Sequence, residues 1–249
     1  MEKLKRYLIF LLGLFISSLG VSFVTRANLG TSPISSIPYV LSLRFSWTLG
    51  NFTIAFSILL ILLQLLILRK NFKLEHLLQV PVSIVFGYFI DFTMLMLKEF
   101  HPEAYWSKLF GLLIGCVILA FGVYLEVLAD VVMLPGESFV RAIVLTWNTN
   151  FGNTKVVFDA SMSICAGIIS LIFFHHLEGV REGTIICAFL VGFIARLFGR
   201  ILSFVESMLF PSVTNETGAD SEDSGYIISI SNELEEQDAI YKAEGKSEI

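Results

Sequence analysis

The sequence predicts an all-α polytopic membrane protein of six transmembrane helices and two re-entrant half-helices, built as an inverted internal repeat. Three observations predict it. The chain is 55% hydrophobic with 23 Phe, and its mean hydropathy is +0.76. A soluble domain of this length rarely has such a composition. Six apolar stretches reach the roughly 20 residues that a hydrocarbon core requires. They lie near 7–25, 50–68, 77–97, 108–128, 156–175 and 184–206. Finally, the chain contains itself twice. Shifted by 102 positions, residues 11–52 fall on 113–154 without a gap. Gly13 meets Gly115, Gly20-Val21 meets Gly122-Val123, Ala27 meets Ala129, Pro33 meets Pro135, and Gly50-Asn51 meets Gly152-Asn153. The matches are largely residues that fix backbone geometry. Duplicated membrane units are characteristic of transporters.

The first stretch follows Lys3, Lys5 and Arg6 and could pass for a signal peptide. Its alignment with residues 110–125, deep in the chain, makes a retained helix the expected reading. Between spans, the segments 27–47 and 129–149 are apolar enough to be buried but are interrupted by Pro and polar residues. About six extended residues cover nearly 20 Å, and about thirteen helical residues return the same distance. Half a bilayer core is about 15 Å, so each segment can enter, turn and leave on one side. Pro33 and Pro135 suit a first helical position. Trp47 and Trp147 fall where interfacial anchors belong, and Trp106 reads as another.

Charge placement orients the chain. With the N-terminus inside, Lys3, Lys5, Arg6, Arg69, Lys70, Lys73, Arg141 and Lys155 are cytoplasmic, against Arg26, Arg44, Lys98, Lys108 and Arg181 outside. The bias has the positive-inside sign. Three crossings per half is an odd number, so the halves must be inverted relative to one another. Gly87-Tyr88-Phe89-Ile90-Asp91 resembles Gly192-Phe193-Ile194-Ala195-Arg196 at an offset of 105. The expected divisions are therefore a first repeat over 1–105, a second over 106–210, and a tail over 211–249. From Glu216 onward that tail carries ten acidic residues against Lys242 and Lys246, and its composition is that of a disordered segment. It accounts for the net charge of -5.

Candidate site residues come from two arguments. A helix N-terminus has unpaired N–H donors and partial positive charge, so two such ends meeting at midplane would hold an anion or carboxylate. Thr31, Ser32, Pro33, Ser35 and Ser36 would line one end; Pro135, Gly136, Glu137 and Ser138 the other. Glu137 occupies the place of Ser35 and would offset its own helix dipole, which favours a cation or proton there. The bland reading is that Pro and Gly shape two packed loops. Ionisable residues in apolar surroundings are the second set. Asp91 and Arg196 are repeat equivalents of opposite sign and are candidates for a gating pair. Glu126, Asp130 and Arg141 are candidates for coupling, although Glu137 and Arg141 at i,i+4 could simply pair. Lys155 and Asp159 read as an interfacial ion pair, and Arg200 as a snorkelling residue.

Cys116, Cys165 and Cys187 have neither disulfide nor zinc spacing. His76, His101, His175 and His176 fall at span ends. No Walker loop, dinucleotide fingerprint, Gly-x-Ser-x-Gly elbow or His-Glu-x-x-His occurs. No enzyme activity, metal or cofactor is expected, and the charge pattern gives no reason to expect nucleic acid.

The run Thr25-Arg26-Ala27-Asn28-Leu29-Gly30-Thr31-Ser32-Pro33-Ile34-Ser35-Ser36, followed by a short helix, Gly50-Asn51 and a second span, resembles the YczE/YyaS/YitT group of bacterial integral membrane proteins, in particular its YczE-like branch. The resemblance covers roughly residues 1–208. It implies a multi-pass protein of the bacterial cytoplasmic membrane with five or six spans, and it brings no substrate and no catalytic residues. The expected function is a transporter or channel for a small polar or anionic solute, with both termini cytoplasmic. The alternative is a scaffold or sensor that acts through its acidic tail. Expected partners are the lipid bilayer and the solute, with homo-oligomerisation left open.

Overall fold

The computed structural model describes residues 2–69 and 74–202. The acidic tail expected over 211–249 lies outside them. The chain falls into two compact units, Met1–Ala195 and Arg196–Ile249, and only the first seven residues of the second are described. The described residues form helices joined by turns and loops and hold no strand.

Eight α-helices follow in order: α1 Glu2–Arg26, α2 Pro33–Arg44, α3 Leu49–Leu68, α4 Gln79–Met96, α5 Tyr105–Ala129, α6 Pro135–Trp147, α7 Phe151–Phe174 and α8 Glu182–Ile201. A 3₁₀ turn, Leu74–Leu78, leads into α4. Six of the eight are long and apolar enough to cross a membrane. They coincide with the six expected stretches. The sixth is expected to reach 206, and residues 203–206 lie outside the described set. The two remaining helices, α2 and α6, are the short ones expected within 27–47 and 129–149. Each begins with proline at its first position, where no N–H is required.

Repeat-equivalent residues stop and start the helices in the same way. Asn28 and Asp130 follow the ends of α1 and α5 with φ of 56° and 47°. Asn and Asp tolerate the left-handed region better than most residues. Thr48 and Asn150 cap α3 and α7, each side-chain oxygen accepting from the N–H three residues on.

The centre of the fold is the packing of α1 on α5. Gly20 lies against Leu119 and Gly122 against Ser17; Gly115 lies against Val24 and Gly13 against Glu126. The residue number rises on α1 as it falls on α5, so the helices run antiparallel. The contacts also map onto one another under the 102-residue shift. Glycine lets two backbones approach, and in lipid that close approach replaces a hydrophobic driving force. The rest of the packing repeats the exchange: α2 packs on α7 and α6 on α3, while α2 also meets α3 and α6 meets α7.

Side chains fix which ends lie together. Phe15 stacks edge-on against Phe89, and Arg26 donates to Met94 O at 3.0 Å, so α1 and α4 run parallel. Gly50 N donates to Asp91 at 2.8 Å. The last residue of α1 and the first turn of α3 therefore both sit at the C-terminal end of α4. Ser36 Oγ reaches Met162 O at 3.5 Å and Phe45 meets Phe173 at 5.6 Å, so α2 runs parallel to α7. Ala129 O accepts from Arg6 at the opposite end of the bundle.

The interior is rich in small polar residues, as expected where lipid tails and side chains are equally apolar. Ser22 and Thr93 share a 2.7 Å hydrogen bond between α1 and α4, and Thr93 also donates to Ser18 O. Large apolar side chains, Leu62, Leu66, Leu95, Ile172 and Phe189 among them, are exposed on the outside. So are Trp47, Trp106 and Trp147, at helix ends where interfacial anchors sit.

Candidate functional site

The two short helices meet at their first turns. Gly136 packs against the Ile34 side chain so closely that a Cβ there would overlap it. Ile34 and Gly136 are repeat equivalents. Neither short helix has a side-chain N-cap bond, unlike α3 and α7. Geometry leaves the first-turn N–H groups of Ile34, Gly136 and Glu137 without an intrahelical acceptor.

Around the start of α2 the polar side chains are buried and bonded to one another. Ser32 Oγ donates to Ser35 Oγ at 2.9 Å, and Ser36 Oγ donates to Pro33 O. Thr31 is wholly buried; its hydroxyl pairs with Thr25 at 2.9 Å, and its N–H donates to Thr184 Oγ1 at 3.3 Å. Gly30 makes this approach possible. Its φ of 125° is open mainly to glycine, and a Cβ would stand 2.8 Å from Thr184 N. Gly183 N donates to Leu29 O at 2.8 Å, and Arg181 to Asn28 O at 3.2 Å.

The start of α6 is held by amides. Gln64 Nε2 donates to Pro135 O at 3.0 Å and to Gln79 Oε1 at 3.4 Å. Gln79 Nε2 donates to Ser138 Oγ at 2.7 Å, and Ser138 Oγ donates to Gln64 Oε1 at 3.0 Å. These bonds close a ring across α3, α4 and α6. Gln79 and Thr184 are repeat equivalents at the offset of 105. Each fastens the start of the other half's short helix.

The sequence-derived candidates divide accordingly. The structure gathers Thr31, Ser32, Pro33, Ser35 and Ser36 at one helix start and Pro135, Gly136, Glu137 and Ser138 at the other, and it joins the two starts. Glu126 lies at the α1–α5 crossing, 9% exposed, and accepts from Ser17 at 2.5 Å. Asp130 is exposed and ends α5. Arg141 Nη1 reaches Met133 Sδ at 3.6 Å. Lys155 and Asp159 pair at 3.0 Å as expected. Arg196 belongs to the second unit. Asp91 accepts from Thr48 Oγ1 at 2.7 Å as well as from Gly50 N, and so anchors the start of α3.

Asp91→Ala is therefore expected to lower stability by about 1–3 kcal/mol, since it orphans the Gly50 N–H. Asp91→Asn, which keeps one acceptor, should recover about half, as read by thermal unfolding in detergent.

Gln64, Gln79, Thr184 and Thr25 escape a reading of the sequence. A search for ionisable residues passes over neutral amides and hydroxyls. The signal for Gln64 is present: a lone amide in the run Ile58–Leu68, costly in hydrocarbon unless it meets a partner. Thr184 has no such mark.

Comparison with known proteins gives a family and no activity. The chain is 28% identical over 124 residues to the uncharacterized protein YyaS of Bacillus subtilis (strain 168), a match covering 49% of this chain and 60% of that protein. No solved structure matches. Residues 4–200 match a family of unknown function, DUF6198. That match takes in all six membrane-length helices and both short ones but not the tail, and the chain belongs to this family.

Proposed function

We propose that this protein is a transporter or channel of the bacterial cytoplasmic membrane for a small polar or anionic solute. In this reading it is an inverted repeat whose two re-entrant helices, α2 and α6, place their N-termini face to face at the binding site. The observation that carries it is the contact of Ile34 with its own repeat equivalent, Gly136. It sets two uncapped helix starts against each other on the local twofold that relates α1 to α5. The antiparallel course of those two equivalent helices supports the inversion. The placement of Arg26 and Gly50 at one end of α4 supports a re-entrant α2.

Chemically, the arrangement offers N–H donors with partial positive charge from two directions. Glu137 is the acidic residue in the first turn of α6, and α2 has none. We assign Glu137 the coupling proton. Glu137→Gln is expected to abolish the pH dependence of uptake while leaving solute binding in place.

The test is a thermal-shift screen of the purified protein against small anions, amino acids and nucleobases. A ligand at 100 times its Kd stabilises the native state by about 2.7 kcal/mol. Binding that weakens in Ser138→Ala is expected. No stabilisation by any class, with no accumulation in reconstituted vesicles, would favour the scaffold or sensor reading; that reading predicts loss of function on removal of 211–249. Topology has its own check. Single cysteines at Ser46 and Asn148 should label from opposite sides of the membrane. Labelling from one side would exclude the inverted arrangement.

A further inference from the structure

The two halves differ in one place that their repeat relation makes conspicuous. On the first half, Phe45, Trp47 and Phe52 close the gap between α2, α3 and the end of α7. Trp47 meets Phe52 at 5.6 Å, Phe45 meets Phe52 at 6.2 Å, and Phe173 closes on Phe45. The equivalents of Phe45, Trp47 and Phe52 are Trp147, Thr149 and Thr154. Two aromatic rings are thus replaced by threonine, and the space stays open. It is a cavity of about 760 Å³ between α3, α6 and α7.

Its walls have one chemistry and its mouth another. Leu59, Leu63, Ile143 and Val157 line the body. Thr149, Asn150, Asn153 and Thr154 line one end, beside Trp147. Leu59, Val157 and Trp147 are exposed on the outside of the bundle, so the cavity opens sideways, toward the bilayer. No charged side chain lines it among the described residues. Lys155 and Asp159, which neighbour the lining residues Thr154 and Phe158 in the chain, are paired with each other. Along α6 the cavity runs from Phe139 to Trp147, a helical rise of about 12 Å. That is close to one leaflet of hydrocarbon, about 15 Å.

The geometry points to a binding site for a single membrane glycerolipid. One acyl chain lies in the groove between α3, α6 and α7, and its ester carbonyl accepts from the side-chain amides of Asn150 and Asn153, beside the Thr149 and Thr154 hydroxyls, which bond to each other at 2.9 Å. The volume falls within the roughly 300–1,000 Å³ of small-molecule sites, and an apolar body with a few placed polar groups is their usual composition. The lateral opening selects a ligand already in the membrane. The uncharged mouth reads the part that phospholipids share, so headgroup charge contributes little. The site stands whether or not the protein transports a solute.

Quenching of Trp147 tests it. In a Trp47→Phe/Trp106→Phe background, Trp147 is the remaining indole. The detergent-purified full chain is titrated with phosphatidylethanolamine or phosphatidylglycerol brominated on one acyl chain. Saturable quenching at one lipid per chain is expected, with affinities for the two lipids within threefold and little change with salt. Thr149→Phe/Thr154→Phe restores to this half two of the aromatic positions that close the other half. It should lose the saturable phase. Ser161→Phe narrows the same groove from α7 and serves if the double variant fails to fold. Quenching that never saturates, or that persists in every folded groove variant, overturns the site. A preference of tenfold or more for phosphatidylglycerol that salt removes overturns the uncharged mouth. A dimer that binds no lipid would show that a second copy of the chain fills the groove.

Discussion

Gly122→Ala and Gly20→Ala are each expected to lower the yield and thermal stability of the folded protein more than any other single methyl addition to the α1–α5 pair. At Gly122 the added Cβ would overlap the Ser17 backbone and hydroxyl, and at Gly20 the Leu119 backbone. Backbone atoms cannot rotate away as a side chain can, so the helices must separate. Overpacking of a well-filled interior costs about 1–3 kcal/mol. Here separation also stretches the bond from Ser17 to Glu126, leaving a carboxyl in apolar surroundings with a poorer partner. The two substitutions push on one crossing, so the double variant should cost less than the sum of the singles. Gly192→Ala is the control. A Cβ there meets no atom within 4 Å, and alanine favours a helix over glycine by about 1 kcal/mol. It should be neutral or slightly stabilising in unfolding by SDS or heat. Equal losses at Gly192 and Gly122 would show that the cost at Gly122 does not come from close packing at the α1–α5 crossing.

The glycines also show why so much of the fold is legible in the sequence. In hydrocarbon, hydrophobicity says only which residues cross, because inside and outside are both apolar. What specifies contact is the residue that permits close approach, and a duplicated chain displays those residues twice. Gly13, Gly20, Gly115 and Gly122 stand out in the repeat, and they form the central contact. Asn28 and Asp130 are equally legible as a matched pair; both end a helix in the left-handed region. That placement gives Asp130, like Asn28, a backbone reason for its short polar side chain. The prolines mark the helix starts to the residue.

The site is legible in outline only. Proline and small polar residues announce two helix starts, but nothing in the pattern announces that Ile34 fills the space against Gly136. Such a contact depends on where two halves cross, which a linear sequence does not encode locally. The fastening residues are hidden for a related reason. Gln79 and Thr184 act at long range, on the other half's short helix, and each lies near a helix start, where polar residues are ordinary. The groove between α3, α6 and α7 is hidden differently. It arises from an absence, threonine where the first half has Trp47 and Phe52, and only a residue-by-residue comparison of the repeats makes an absence visible.

Gln64→Leu should be the most damaging substitution of a neutral polar residue in the membrane region. Gln64 is fully buried, and its amide makes three of the ring's bonds, to Pro135 O, Gln79 and Ser138. Leucine is close in size and suits the surrounding lipid-like interior, so no cavity accompanies the change. The loss comes from the partners left behind. Each buried group without a hydrogen bond costs about 1–3 kcal/mol in water-soluble proteins, while interhelical hydrogen bonds in membranes average about 0.6 and reach about 1.7 kcal/mol. With three partners released, about 2–4 kcal/mol is expected. Ser138→Ala removes one donor and one acceptor from the same ring and should cost about 1 kcal/mol. A double-mutant cycle decides whether the ring acts as a unit. If it does, Gln64→Leu/Ser138→Ala will be less damaging than the sum by at least about 0.5 kcal/mol, because the second substitution removes a group the first has already orphaned. The ring also holds the first turn of α6, which carries Glu137. If the two helix starts form the proposed solute site, a folded Gln64→Leu variant should bind solute more weakly than its loss of stability alone explains. Additive stabilities with unchanged binding would mean that the start of α6 is held by apolar packing, and that the amides only satisfy one another.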